Sequence, residues 1–121
     1  AKKAKYHAAA SILSNQVIAV LDMGYTLLED CGFTRDEALR ATGQLVMRNI
    51  ENVLEAGCDG ALTGPIERND IETVKKHIAC MQNDDSDDVR LYKMLGAKLA
   101  NIAEKKNPDK DYTQMMELLR G

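Results

Sequence analysis

A chain of 121 residues is long enough for one domain and short for two. With 45% hydrophobic but only 4% aromatic residues its core must be aliphatic, which favours close-packed helices over a sheet. A net charge of -3 with no basic stripe argues against nucleic-acid binding, and three widely spaced cysteines fit neither a disulfide framework nor a zinc site, which points to a reducing cytoplasm.

The first predicted element is a helix from Lys3 to Asp30, free of proline, with Ala8, Ile12, Val17, Leu21, Leu27 and Leu28 at mostly helical intervals. Val17 to Leu21 is apolar all round, the pattern of a helix buried on every face. At roughly 40 Å it is long for so small a domain, so either other helices wrap it or a second subunit covers one side. No uninterrupted apolar run approaches the ~18 residues of a membrane span, and no signal-peptide pattern precedes it.

Gly32 closes that helix, and Thr34-Arg35-Asp36-Glu37 reads as a capping box for a second one. The second helix is expected from Arg35 or Asp36 to about Ala56. Its inward face comprises Ala38, Ala41, Thr42, Leu45, Asn49, Asn52 and Val53, and Gly57 stops it. Asp59 to Asn69 is dense in turn residues. Asp70 then caps a helix from Ile71 to about Gln82, followed by a polar turn over Asn83 to Asp88. Val89 to Lys106 forms another helix with Leu91, Leu95, Leu99 and Ile102 inside. Asn107-Pro108-Asp109 breaks it, and Asp111 to Leu119 is a short final helix. The expectation is a single all-α domain over residues 1–121, built around its long N-terminal helix.

No GxGxxG, P-loop, HExxH, GxSxG or EF-hand pattern occurs, so no dinucleotide, phosphate or metal site of those kinds is expected in this chain. The best polar set is His7 with Ser11, Ser14 and Asn15 on one side of the first helix, where His7 suits a general acid or base. Its structural alternative is a set of local helix bonds. The Leu62–Arg68 loop, with the Thr63 hydroxyl, free N–H groups and Arg68, suits an anionic ligand or simply joins two helices. Asn49 and Asn52 line a cleft or bond to the next loop. His77, beside Lys75 and Lys76, is read as a surface residue, the acidic run Asp84 to Asp88 as a solvated turn, and the six methionines as core filling or a soft interface.

Tyr6-His7-Ala8-Ala9-Ala10, then Ser14-Asn15, then Ala61-Leu62-Thr63-Gly64-Pro65-Ile66 with Arg68 and Asp70, resemble a recurrent helical domain of unknown function. That domain follows a Rossmann-like domain in bacterial proteins assigned as NADP oxidoreductases. Its fold is similar to the C-terminal domains of the 6-phosphogluconate dehydrogenase-like superfamily, whose helices build a dimer interface and close the substrate cleft. The resemblance spans nearly the whole chain and is weakest after Asn107. It implies a substrate-binding and dimerisation domain of an NAD(P)-dependent oxidoreductase, inactive by itself, with the cofactor held on an absent N-terminal Rossmann-like domain. It implies His7 as the catalytic residue and Ser14, Asn15, Asn52, Thr63, Gly64, Pro65 and Arg68 as substrate-binding residues. The lysine that the superfamily's hydroxyacid dehydrogenases carry in a G-x-x-x-K-x-x-N setting has no counterpart near Asn15. The alternative is a non-catalytic helical module for ligand binding or dimerisation. A homodimer is expected, with no nucleic-acid or membrane partner.

Overall fold

A computed structural model describes residues 1–82 and 87–121, which form five helices and no strand. These are α1 (Lys2–Asp30), α2 (Arg35–Ala61), α3 (Ile71–Met81), α4 (Asp88–Lys106) and α5 (Thr113–Arg120). The all-α class expected from composition is the one observed. Part of the predicted polar turn and acidic run, residues 83–86, lies outside the described residues. The chain divides into two compact units, Ala1–Met47 and Arg48–Gly121, with the boundary inside α2.

In the first unit, α1 changes pitch in its middle. Lys2–Ser11 and Val17–Asp30 are α-helical, and Ile12–Gln16 is a π-helical turn. The wider turn shows in the side chains, since Ser11 Oγ donates to Gln16 Oε1, five residues on, at 3.2 Å. Ser14 Oγ donates to the Ala10 carbonyl at 2.6 Å, the back-bonding that serine favours inside a helix. Nothing in the apolar spacing foretells this turn.

The end of α1 follows the sequence closely. Gly32 takes φ 102°, and Phe33 N–H reaches back to the Leu28 carbonyl at 3.2 Å, closing a Schellman-type cap. The capping box forms in both directions: Glu37 N–H donates to Thr34 Oγ1 at 3.1 Å, and Thr34 N–H donates to Glu37 Oε1 at 2.9 Å. Arg35 ties the two helices together. Its guanidinium meets Asp22 at 2.9 Å and Glu29 at 2.6 Å, donates to Thr26 Oγ1 at 3.1 Å, and lies 5.7 Å from the centre of the Tyr25 ring.

Two expectations fail in this unit. Burial of α1 on every face does not occur, because no residue of Lys2–Asp30 is buried. The start of α2 offers one seam, and one seam cannot enclose a helix that is apolar all round. The inward face assigned to α2 fails similarly, with Ala38 fully buried but Leu45 71% exposed. Moreover, α1 is by length and composition apolar enough to cross a membrane, with a window of mean hydropathy 1.2. Polar residues interrupt the apolar run between Tyr6 and Leu21, but none of them is Asp, Glu, Lys or Arg, so the average over the window stays high.

The second unit has a core. Val74 and Ile78 from α3, Ala97, Ala100 and Ala103 from α4, and Tyr112, Met115 and Leu119 close around Ile66. The small residues of α4 set the spacing. A Cβ on Gly96 would lie 2.8 Å from Leu119 Cδ2 and 3.2 Å from Ile66 Cδ1, so only glycine admits both side chains there. Asp70 caps α3 as expected, accepting from Thr73 N–H at 3.2 Å and Thr73 Oγ1 at 2.7 Å. Those two bonds hold its carboxyl below the usual carboxylate range. Asp111 does the same ahead of α5 through the hydroxyl and N–H of Thr113.

Gly57 was expected to end α2. It kinks it instead, with φ 78° and ψ 173°, and the helix resumes through Ala61. His77 is not a simple surface residue either. It is half-buried against α4, with Nδ1 2.9 Å from the Tyr92 hydroxyl and the two rings edge to face. Burial pushes the Tyr92 phenol upward from its ordinary value.

Candidate functional site: a cleft beside the Thr63 loop

The kink at Gly57 turns the chain so that the last helical turn of α2 leads into the Leu62–Asp70 loop. That loop is shaped from within. Gly64 adopts φ 100° and Asn69 φ 61°, both left-handed. Arg68 N–H donates to the Gly64 carbonyl at 3.0 Å, and Asp70 N–H to the Pro65 carbonyl at 2.8 Å. Ile66, 6% exposed, pegs the loop to the core.

The loop is also braced from the C-terminal end of the chain. Lys106 Nζ donates to the Leu62 carbonyl at 2.8 Å and lies 3.8 Å from the Glu67 carboxylate. The Tyr112 hydroxyl donates to the Glu67 carbonyl at 2.6 Å and accepts from Asn107 Nδ2 at 3.0 Å. Asn69 Nδ2 donates to the Asp111 carbonyl at 2.8 Å. Sequence reading passed over all of these braces. Partners 42 to 45 residues apart carry no local spacing signal.

The loop, α2 and α4 enclose a cleft of about 320 Å³. Asn49 and Val53 line it from α2, Cys58 and Ala61 from beyond the kink, Leu62 and Thr63 from the loop, and Leu99 and Ile102 from α4. The walls are aliphatic, with one amide, one hydroxyl and one thiol among them. Such a lining suits a small ligand with an apolar body and a single hydrogen-bonding head. A more open groove of about 430 Å³ runs beside α5, where Glu104, Asp111 and Glu117 alternate with Lys110 and Arg120. Its mixed charges offer no directed field to a ligand.

Of the residues singled out in the sequence, Thr63 lines the cleft. Gly64 and Pro65 shape the turn behind it, and neither Arg68 nor Asn52, both exposed, is in the wall. Asn49, one helical turn before Val53, takes the place on α2 that Asn52 was expected to share. His7, Ser14 and Asn15 are exposed on α1 in the other unit. Cys58 was counted in the sequence but not recognised as a wall residue, because only the kink at Gly57 directs it there. All three cysteines are free thiols, and no cluster of three or more metal-ligating side chains occurs among the described residues.

A family model described as a domain of unknown function, DUF2520, matches residues 1–99. The match takes in α1, α2, the loop and the whole cleft except Ile102, and stops before the bracing residues Lys106, Asn107 and Tyr112. No curated protein and no solved structure matches the chain.

Proposed function

From the premise that this chain belongs to the DUF2520 family, a domain of unknown function, we propose that it is the substrate-binding and dimerisation domain of an NAD(P)-dependent oxidoreductase. The observation that carries this reading is α1. A helix of 29 residues, apolar enough for a core and buried nowhere, is the signature of a surface made for a partner. The cleft beside Thr63 supplies the second half of the reading. Asn49 and Thr63 are placed to hold a carbonyl or alcohol while Val53, Leu62, Leu99 and Ile102 cover the rest of a small substrate.

On this reading the nicotinamide cofactor is held by a separate Rossmann-like domain, the strand-and-helix architecture that binds a dinucleotide. His7 is the residue of this chain suited to proton transfer, and its exposure leaves the imidazole accessible. Three free thiols suit a reducing, cytoplasmic setting.

The Ser14 bond favours a second reading, a ligand-binding or dimerising module without chemistry. That hydroxyl donates to Ala10 within its own helix rather than toward a substrate. The size of the native product in its source cells separates the two. An immunoblot band roughly twice this length, as one more ordinary domain gives, supports the oxidoreductase. A band at 13.4 kDa leaves the module reading. Light scattering on the chain is expected to give the mass of two copies, and a monomer at high concentration would remove dimerisation from either reading.

A further inference from the structure

The wall of the Thr63 cleft carries no formal charge. Among the described residues its lining is aliphatic apart from Asn49, Cys58 and Thr63, and none of it is Asp, Glu, His, Lys or Arg. The basic groups of the neighbouring loop do not supply what the wall lacks. Lys106 Nζ is taken up by the Leu62 carbonyl at 2.8 Å and lies 3.8 Å from the Glu67 carboxylate, and Arg68 is exposed outside the lining. The Asn49 amide and the Thr63 hydroxyl, in contrast, make no side-chain hydrogen bond to another described residue. Both can donate and accept.

We infer that the cleft selects an uncharged substrate, a compact aliphatic or alicyclic ketone, alcohol or amide, and excludes carboxylates and amines. The inference rests on the reading of this cleft as a substrate site and adds its chemical class. At about 30 Å³ for each water-sized group, 320 Å³ holds roughly ten non-hydrogen atoms. A neutral carbonyl or hydroxyl entering there exchanges its water for Asn49 or Thr63, while Val53, Leu99 and Ile102 take its hydrocarbon. A carboxylate loses hydration against the same wall and meets no cation. An ammonium loses it and meets no anion. An unpaired charge moved beside aliphatic surface is penalised far more than a neutral group whose hydrogen bonds are replaced. The selectivity therefore comes from what charge loses there, not from a strong bond to the neutral head.

Cys58, in the wall and exposed, is the reporter for the test. In a Cys31→Ser, Cys80→Ser chain its alkylation by N-ethylmaleimide is followed by mass spectrometry. The probes are cyclohexanecarboxamide and cyclohexanecarboxylate, matched in size and shape and differing in charge at neutral pH. The amide is expected to halve the alkylation rate at a concentration about tenfold lower than the carboxylate needs. Occupancy is read at Cys58 because Lys98 and Arg120 line a separate groove that attracts the carboxylate. Leu99→Lys adds a cation to the wall and should bring the carboxylate level with the amide or past it, with circular dichroism checking that the helices are kept. Equal protection by the two compounds in the parent chain overturns the neutral class while leaving the cleft a binding site. Discrimination that persists unchanged in a folded Leu99→Lys chain overturns it too, since the wall is then not its source. Protection by neither compound at high millimolar concentration removes the cleft as a substrate site, and the inference falls with that half of the proposed function.

Discussion

Among the described residues, Ala1–Met47 buries one apolar side chain, Ala38, whereas Arg48–Gly121 buries ten. Both are helical, and both carry large aliphatic residues. The difference is the number of elements meeting around a point. In the second unit α3, α4, α5 and the Ile66 loop converge from several directions, so a side chain such as Met115 is enclosed completely. In the first, two helices joined at a tight turn share one seam, and their remaining faces stay open. A helix that is apolar all round is therefore left with most of its apolar surface open within this unit.

The largest effect expected separates the two units directly. Met115→Ala should lower the stability of the chain by about 2–5 kcal/mol, through lost burial and the cavity left behind. Leu13→Ala, at a position 80% exposed, should leave the unfolding of dilute monomer unchanged. Thermal and urea melts at low protein concentration check this. If Leu13→Ala costs as much as Met115→Ala there, α1 has a covering within its own chain and the contrast collapses.

A smaller effect sharpens the account of the cleft. Tyr112→Phe removes the hydroxyl that donates to the Glu67 carbonyl and should cost about 1–2 kcal/mol, since that hydroxyl also takes the Asn107 amide. Hydrogen exchange should rise selectively over Leu62–Asp70. Exchange that rises uniformly across the second unit instead would show that Tyr112 supports the core and not the loop.

The smallest effect is on pH dependence. Glu37 and Asp70, one in each unit, have carboxyls held low by their cap bonds, the first by Thr34 and the second by Thr73. A carboxyl whose folded pKa lies below its unfolded one stabilises the fold above the unfolded value, and loses that contribution as pH falls through the folded value. Stability should therefore decline below about pH 4, and Asp70→Asn should flatten the decline in melts between neutral and acid pH. An unchanged slope would mean that the Asp70 cap bonds do not survive in solution.

Local signals gave the element pattern. Gly32, the Thr34–Glu37 box and Asp70 were readable because a cap is a matter of three or four adjacent residues. The five helices followed, with ends off by a few positions at Gly57 and ahead of Thr113. The candidate site was half legible. Thr63 and its turn residues stood out as a dense cluster, while Cys58 and the braces from Lys106, Asn107 and Tyr112 did not. The π turn at Ile12–Gln16, beside Ser14 and Asn15, left no trace in a pattern read at 3.6 residues per turn.

The sequence by itself determined the helical class, the cap positions and the turn chemistry of the Thr63 loop. Each depends on neighbours within a turn or two. Only the tertiary structure decided which apolar faces are buried, where the cleft opens and which distant side chains brace it. Burial depends on how many elements converge on one point, and hydrogen bonds spanning more than 40 residues exist only once the chain has folded back on itself.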